Sequence, residues 1–127
     1  MNHTIAESKE FCSHSADMIK LAAEKGIDIG VAPSYLSLQT VKENAGNMIV
    51  AAQDCHFANH GAYTGFVSIP MIKELGIDWC LVGHSERRLY AAETSLTCNR
   101  KIKALIENKM TVVYCVGESL ADFESGR

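Results

Sequence analysis

The sequence predicts an α/β fold with a parallel β-sheet, and three observations favour it. Short apolar runs begin near residues 27, 48, 77 and 110 and alternate with segments of helical pattern, as in chains of βαβ units. These runs are nearly continuous in apolar residues, which is typical of strands covered on both faces. The 127 residues are 47% hydrophobic and 21% charged, which fits one globular domain.

The first predicted element is a helix over residues 4–25. Thr4 and Glu7 have the T-x-x-E spacing of a capping box, and Gly26 is a natural helix end. The predicted apolar face of this helix consists of Phe11, Met18, Ile19 and Ala22.

The remaining elements continue the alternation. In order, they are a strand over 27–32 ended by Pro33, a helix near 37–45 ended by Gly46, a strand over 48–52, a helix opened by Ser68 and Pro70 and closed by Gly76, a strand over 77–82, a helix near 94–109, a strand over 110–116 and a helix beginning at Ser119 and Asp122. Right-handed crossovers place the loops that follow parallel strands at one sheet edge, where α/β folds carry their chemistry. A doubly wound open sheet and part of a (β/α)8 barrel both suit this pattern, so the loop sequences must separate them.

Composition argues against several classes of function. The net charge is −3 with no basic patch, and no apolar run approaches membrane-spanning length, so neither nucleic acid nor a membrane is an expected partner. The first ten residues lack the pattern of a secretory signal. The five cysteines are widely spaced without a C-x-x-C pair, which favours reduced thiols in a cytoplasmic protein over a disulfide framework or a zinc site. Nucleotide-binding glycine motifs and the G-x-S-x-G motif do not occur.

The loop that follows the second strand, residues 53–65, is long for an α/β connection. Its tip, residues 61–65 (GAYTG), carries a hydroxyl and an aromatic ring that suit contact with a partner. A surface loop packed on itself is the alternative.

His84 follows the third strand after a single glycine, Gly83, and is the first candidate for chemistry. Gly83 allows a sharp turn, and Ser85 and Glu86 suit the start of a helix. The positive end of that helix favours a neutral imidazole, which can polarise a carbonyl oxygen and stabilise an enediolate. The alternative is a histidine that only caps the backbone. Glu118, after the fourth strand, is a base, a ligand or simply an acid at a helix start.

Together these loops resemble the triosephosphate isomerase family. Residues 82–88 (VGHSERR) resemble the signature loop around the family's electrophilic histidine, and 52–57 (AQDCHF) with 61–65 resemble the loop after its third strand. Residues 115–118 (CVGE) resemble the end of its fifth strand, and 92–94 (AET) its Gly-Glu-Thr. The matches run in order over essentially the whole chain.

The resemblance implies a fold, a reaction and a set of site residues. The fold is a parallel (β/α)8 TIM barrel, and the reaction interconverts dihydroxyacetone phosphate and glyceraldehyde 3-phosphate in glycolysis and gluconeogenesis, without metal or organic cofactor. His84 would be the electrophile, and a glutamate base, a neutral histidine and a closing lid are known features of the family. The supporting residues would be Ser85, Glu86 and Cys115. The contacts of a homodimer would come from Tyr63, Thr64, Gly65 and Arg87.

A barrel of this family typically has ~250 residues, so residues 1–127 are expected to be a partial barrel, truncated at both ends, with about four βα units. The expected missing parts are the catalytic lysine, the glutamate base, the lid and the phosphate-binding loops. The isolated chain is therefore expected to be inactive. Two alternatives remain: a non-catalytic half-barrel that self-associates or complements another fragment, and a flavodoxin-like phosphate- or nucleotide-binding domain.

Three positions depart from the family's pattern. Phe66 stands where a glutamate commonly pairs with the arginine at position 87 of a second subunit, so that ion pair is in doubt. Asp54 replaces a frequent asparagine, and Ala92 replaces a frequent glycine. The change at Ala92 matters only if the backbone there needs a positive φ.

Overall fold

The computed structural model describes all 127 residues, in which short helices alternate with strands. The helices are α1 (Ile5–His14), α2 (Ala16–Glu24), α3 (Leu38–Asn44), α4 (Ile69–Glu74), α5 (Ser85–Tyr90), α6 (Ser95–Glu107) and α7 (Leu120–Ser125). The strands are β1 (Gly30–Val31), β2 (Ile49–Ala52), β3 (Trp79–Val82) and β4 (Thr111–Tyr114), and a 3₁₀ turn at Tyr35–Ser37 precedes α3. No helix is both long and apolar enough to cross a membrane.

The four strands form one parallel sheet in the order β1-β2-β3-β4. Strands adjacent in the chain are thus adjacent in the sheet, as in a barrel built from successive βα units. A doubly wound sheet instead reverses its strand order at a switch point. The predicted α/β fold is confirmed, and the strand order selects the barrel architecture over the flavodoxin-like alternative.

Helix starts agree closely with the capping signals in the sequence. The Thr4 hydroxyl accepts a hydrogen bond from the Glu7 N–H, and the Glu7 carboxylate accepts one from the Thr4 N–H, which completes the predicted capping box. Ser68 caps α4, Thr94 caps α6, and Ser119 caps α7 by accepting from the Asp122 N–H. These side chains satisfy backbone donors that have no partner within the helix.

The single helix predicted over residues 4–25 is wrong in two respects. The structure divides it into α1 and α2 at Ser15, whose hydroxyl donates to the Phe11 carbonyl oxygen at 2.7 Å. Serine hydroxyls commonly compete with helical hydrogen bonds in this way. Met18, predicted on the buried face, is 50% exposed, whereas Ala22 is buried and Phe11 and Ile19 pack against the core.

The main core lies between one face of the sheet and the helices. From the helices it contains Leu38, Val41, Ile69, Ile72 and Leu105, and from the strands Val50, Ala52, Cys80 and Val82. The opposite face of the sheet is more open, and a cavity of about 340 Å³ there is lined by Ile49, Trp79, Leu81 and Val113, among others. The strands thus carry apolar side chains on both faces, but this chain covers only one of the two faces, as expected for a partial barrel.

Predicted strand ends also extend too far. The first predicted strand, residues 27–32, is reduced to Gly30–Val31, and the last, residues 110–116, to Thr111–Tyr114. Each is an edge strand with one neighbour, so fewer of its residues find a ladder partner.

Candidate active site

His84 stands at the junction of β3 and α5. Gly83, with φ +78°, makes the sharp turn out of the strand, and His84 is the N-cap residue of α5. The His84 Nδ1 accepts a hydrogen bond from the Glu86 N–H at 3.3 Å. An accepting Nδ1 carries no proton, so the neutral ring presents its proton on Nε2. Capping the backbone and donating to a substrate therefore use opposite sides of the ring, and the two sequence interpretations of His84 are compatible.

The other predicted catalytic residues surround this turn. Ser85 and Glu86 are exposed in the first turn of α5, and the Glu86 Oε2 lies 3.7 Å from the His84 Nδ1. Cys115 is partly buried just after β4, where its N–H donates to the Val82 carbonyl oxygen at 2.9 Å. Cys115 is thereby tied to the end of the strand that carries His84.

A cavity of about 530 Å³ opens beside His84. Its walls include Gln53, Leu81, Glu86 and Arg87, so side chains that follow β2 and β3 meet there. The Gln53 amide donates to the Ala32 carbonyl oxygen at 2.8 Å, which joins the ends of β1 and β2. The carboxyl edge of the sheet thus forms the concave, partly polar site expected of an α/β enzyme.

Behind the cavity lies a buried charge cluster formed by Asp54, Arg87, Glu93 and Lys101. The Lys101 Nζ lies 2.9 Å from the Asp54 Oδ1 and also contacts the Glu93 Oε1. The Arg87 Nε lies 2.8 Å from the Asp54 Oδ2 and 3.8 Å from the Glu93 Oε2. Two carboxylates therefore face two cations, and their formal charges cancel.

The cluster is the main part of the site that sequence reasoning missed. Burial alone would lower the pKa of Lys101, but its hydrogen bonds to Asp54 and Glu93 outweigh burial and raise that pKa above its ordinary value. One feature of the sequence does indicate this cluster: Lys101 lies on the face of α6 whose other residues, Cys98, Ala104 and Leu105, are buried. A charged residue at such a position requires a buried partner.

Arg87, predicted at a dimer interface, makes its charged contacts within the chain. Its Nε is close to the Asp54 carboxylate, but the N–H direction gives no aligned hydrogen bond. The contact is therefore an ion pair without the directional component that strengthens such pairs. Asp54, in place of the family's frequent asparagine, supplies the negative charge.

The loop after β2 packs partly on itself. The His56 ring centroid lies 4.3 Å from that of Phe57, 4.2 Å from Tyr63 and 4.6 Å from Phe66. Burial, with a smaller contribution from Lys101, lowers the pKa of His56. The structure thus supports the interpretation of a self-packed loop, while its tip at Thr64 and Gly65 remains exposed.

Ala92, in place of the frequent glycine, has φ +52°. This left-handed conformation is unfavourable for residues with a Cβ atom, so the departure noted in the sequence does matter. No three side chains among histidine, cysteine, aspartate and glutamate are grouped so as to hold a metal ion.

Comparison with known proteins places this geometry in context. A sequence model described as triosephosphate isomerase matches residues 1–127. A protein of that name from Chlorobium chlorochromatii is 42% identical over 99% of this chain and 50% of its own length. A second relative of that name, from Streptococcus pneumoniae, is 42% identical over 100% of this chain and 50% of its own length. A third, from Mycoplasma capricolum, is 46% identical over 80% of this chain and 41% of its own length. The chain spans about half the length of the curated relatives it matches.

Proposed function

Because this chain belongs to the triosephosphate isomerase family, we propose that His84 is the electrophile in the interconversion of dihydroxyacetone phosphate and glyceraldehyde 3-phosphate. The observation that carries the proposal is the hydrogen bond from the Glu86 N–H to the His84 Nδ1. That bond leaves a neutral ring with a donor on Nε2, at the edge of a cavity large enough for a triose phosphate.

The reaction moves a proton between two carbons through an enediolate. As a base removes the proton from the carbon beside the carbonyl, negative charge develops on the carbonyl oxygen. A donor already in place stabilises that charge without reorganising. In this assignment the neutral Nε2–H of His84 is the donor. Ser85 and Glu86 form the helical turn that follows His84, and the Glu86 N–H holds the ring. The backbone of Cys115 joins the end of β4 to the end of β3, the strand that leads to His84.

We propose that the 127-residue chain alone does not turn over substrate. Proton abstraction needs a base beside the reacting carbon, and the phosphate needs a cationic or amide-lined pocket. Glu118, the carboxylate considered for the first task, is exposed just before α7, whose N-cap is Ser119. This position suits a helix-start acid. Of the charged groups that line the cavity, the Glu86 carboxylate lies 3.7 Å from the His84 Nδ1, on the side of the ring opposite the Nε2–H, and the Arg87 guanidinium already faces Asp54. Neither group is placed to act as the base or to hold the phosphate, so we assign only the electrophile to this chain.

The experiment that tests this function is complementation. The chain is mixed with a polypeptide covering the part of the Streptococcus pneumoniae relative that it does not match, and isomerisation is followed by a coupled assay. We expect turnover from the mixture and none from either piece. His84→Ala should reduce that turnover by a factor of about 10²–10³, as for loss of an oxyanion donor. Turnover by the chain alone that His84→Ala abolishes would contradict the proposed inactivity, and an active mixture unaffected by His84→Ala would contradict the role of His84.

Self-association is the second candidate role, and the exposed sheet face favours it. Trp79, Leu81 and Val113 line the open cavity on that face, and the two edge strands have unpaired backbone groups. Light scattering of the chain alone distinguishes a self-associated chain from a monomer. A sharp monomer with cooperative unfolding argues against self-association.

The proposed homodimer contact is the tip of the loop after β2. Tyr63 is 43% exposed and Thr64 and Gly65 are exposed, which leaves them free to meet a second subunit. Of the four predicted contact residues, Arg87 is the least suited to pair with a second subunit, because the Asp54 carboxylate already neutralises the charge of its guanidinium group. The family's place in glycolysis supports a cytoplasmic location for the protein.

A further inference from the structure

Arg88 lies one turn beyond His84 and makes no contact that the proposed reaction uses. Its side-chain Nε donates to the Gly83 carbonyl oxygen at 2.8 Å. Its backbone N–H donates to the His84 carbonyl oxygen at 3.1 Å. The two carbonyls that flank His84 in the chain are therefore both hydrogen-bonded to the same arginine.

The guanidinium is itself braced from the neighbouring strand. Its Nη2 donates to the Tyr114 hydroxyl at 3.2 Å, and its Cζ lies 5.8 Å from the centre of the Tyr114 ring. The hydroxyl contact and the cation–π contact together hold the flat guanidinium group in one orientation. Tyr114 is the last residue of β4, so the brace connects the turn after β3 to the adjacent strand end.

The turn needs such a restraint because Gly83 has no side chain. Glycine has the largest backbone freedom of any residue, and here it adopts φ +78°. An added Cβ atom would lie 2.9 Å from the Arg88 Nη2, 2.9 Å from the Tyr114 Cε2 and 3.1 Å from the Cys98 Sγ. The glycine leaves room for the arginine and tyrosine, and these two side chains supply the rigidity that the glycine lacks.

We propose that Arg88, braced by Tyr114, is a positioning residue that holds His84 in the orientation where its Nδ1 accepts from the Glu86 N–H. The 3.3 Å length of that bond makes it sensitive to small rotations of the turn. When the turn is held, the ring stays in the Nε2–H tautomer. The inference rests on the proposed role of His84 for its functional meaning, but the tautomer can be measured without any turnover.

The test reads the imidazole nitrogens of His84 by long-range ¹H–¹⁵N NMR, above the pH at which the ring takes up a proton. Arg88→Met removes the side-chain donors at similar length, and Arg100→Met, at an exposed position of α6, is the matched control. We expect one tautomer in the wild type and in the control. In Arg88→Met the ratio of tautomers should fall by roughly five- to tenfold, as for the loss of one hydrogen bond. The His14 ring serves as internal reference.

A second variant keeps the proposal testable if Arg88→Met fails to fold. Tyr114→Phe removes only the bracing hydroxyl, and Tyr90→Phe, at an exposed position of α5, is its control. Hydrogen exchange of the Arg88 amide should accelerate roughly three- to tenfold in Tyr114→Phe and stay unchanged in Tyr90→Phe. A wild-type ring split between tautomers, a folded Arg88→Met with wild-type His84 signals, or unchanged exchange in Tyr114→Phe would each overturn the proposal.

Discussion

Replacing Lys101 by methionine should destabilise the chain more than any other single lysine change. The Lys101 side chain is 6% exposed, and its partners Asp54 and Glu93 are 4% and 2% exposed. Removing the ammonium leaves two buried carboxylates facing one guanidinium, which lies 3.8 Å from the Glu93 Oε2 and forms no aligned hydrogen bond. One negative charge is then buried without compensation.

The size of the effect follows from this geometry. Breaking a buried ion pair by removing one partner costs roughly 3–5 kcal/mol. With an unfolding entropy of about 2.1 cal/mol/K per residue, a chain of 127 residues should show a Tm lower by roughly 10–20 °C. Lys103→Met is the control, because Lys103 is exposed on the same helix, and a surface change of this kind shifts stability by about 0.5 kcal/mol or less.

The assay is urea unfolding followed by circular dichroism, with both variants compared with the wild type. Adding Glu93→Gln to Lys101→Met should recover part of the lost stability, since the neutral amide removes the uncompensated charge. Equal unfolding free energies for Lys101→Met and Lys103→Met would refute the reasoning.

Three further predictions concern the turn, the loop and a helix cap. Gly83→Ala should cost about 1–3 kcal/mol, because of the positive φ and the 2.9 Å approach to Tyr114; Gly117→Ala, with open space around its Cβ, should leave the Tm nearly unchanged. The pKa of His56 is lowered in the folded protein, so as the pH falls the imidazole is protonated in the unfolded chain before it is protonated in the folded chain. The free energy of unfolding should therefore decrease as the pH drops below about 6.5. His56→Phe should remove that part of the pH dependence, as measured by unfolding at a series of pH values. Thr94→Ala should lower the unfolding free energy by about 1 kcal/mol through loss of the α6 cap, whereas Thr94→Ser should retain most of it.

Much of the fold was predictable because its signals are local. The capping residues Thr4, Ser68 and Ser119 each act on a backbone N–H within three residues, and the helix starts agree with them. The break at Ser15 was missed because serine tolerates a helix interior as well as a cap, and only packing shows which it adopts. Edge strands were overextended because apolar runs do not reveal how many neighbours a strand has.

The candidate site likewise has one part that the sequence predicted and one part that only the structure shows. His84 was found from its place after an apolar strand and a glycine, and the structure adds the tautomer through the Glu86 N–H. The role of Lys101 was missed because its partners lie 8 and 47 residues away in the chain. Whether Tyr63, Thr64, Gly65 and Arg87 form a subunit contact stays a prediction.

The sequence by itself determined the alternation of strands and helices, the helix caps and the position of the histidine at a strand end. Each depends on side chains acting over a few residues of their own backbone. Only the tertiary structure decided the strand order, the pairing of Lys101 with Asp54 and Glu93, and the contact of Arg88 with Tyr114. Those features join residues distant in the chain, and their free energy exists only once the sheet and its covering helices have brought the charged and polar groups together out of water.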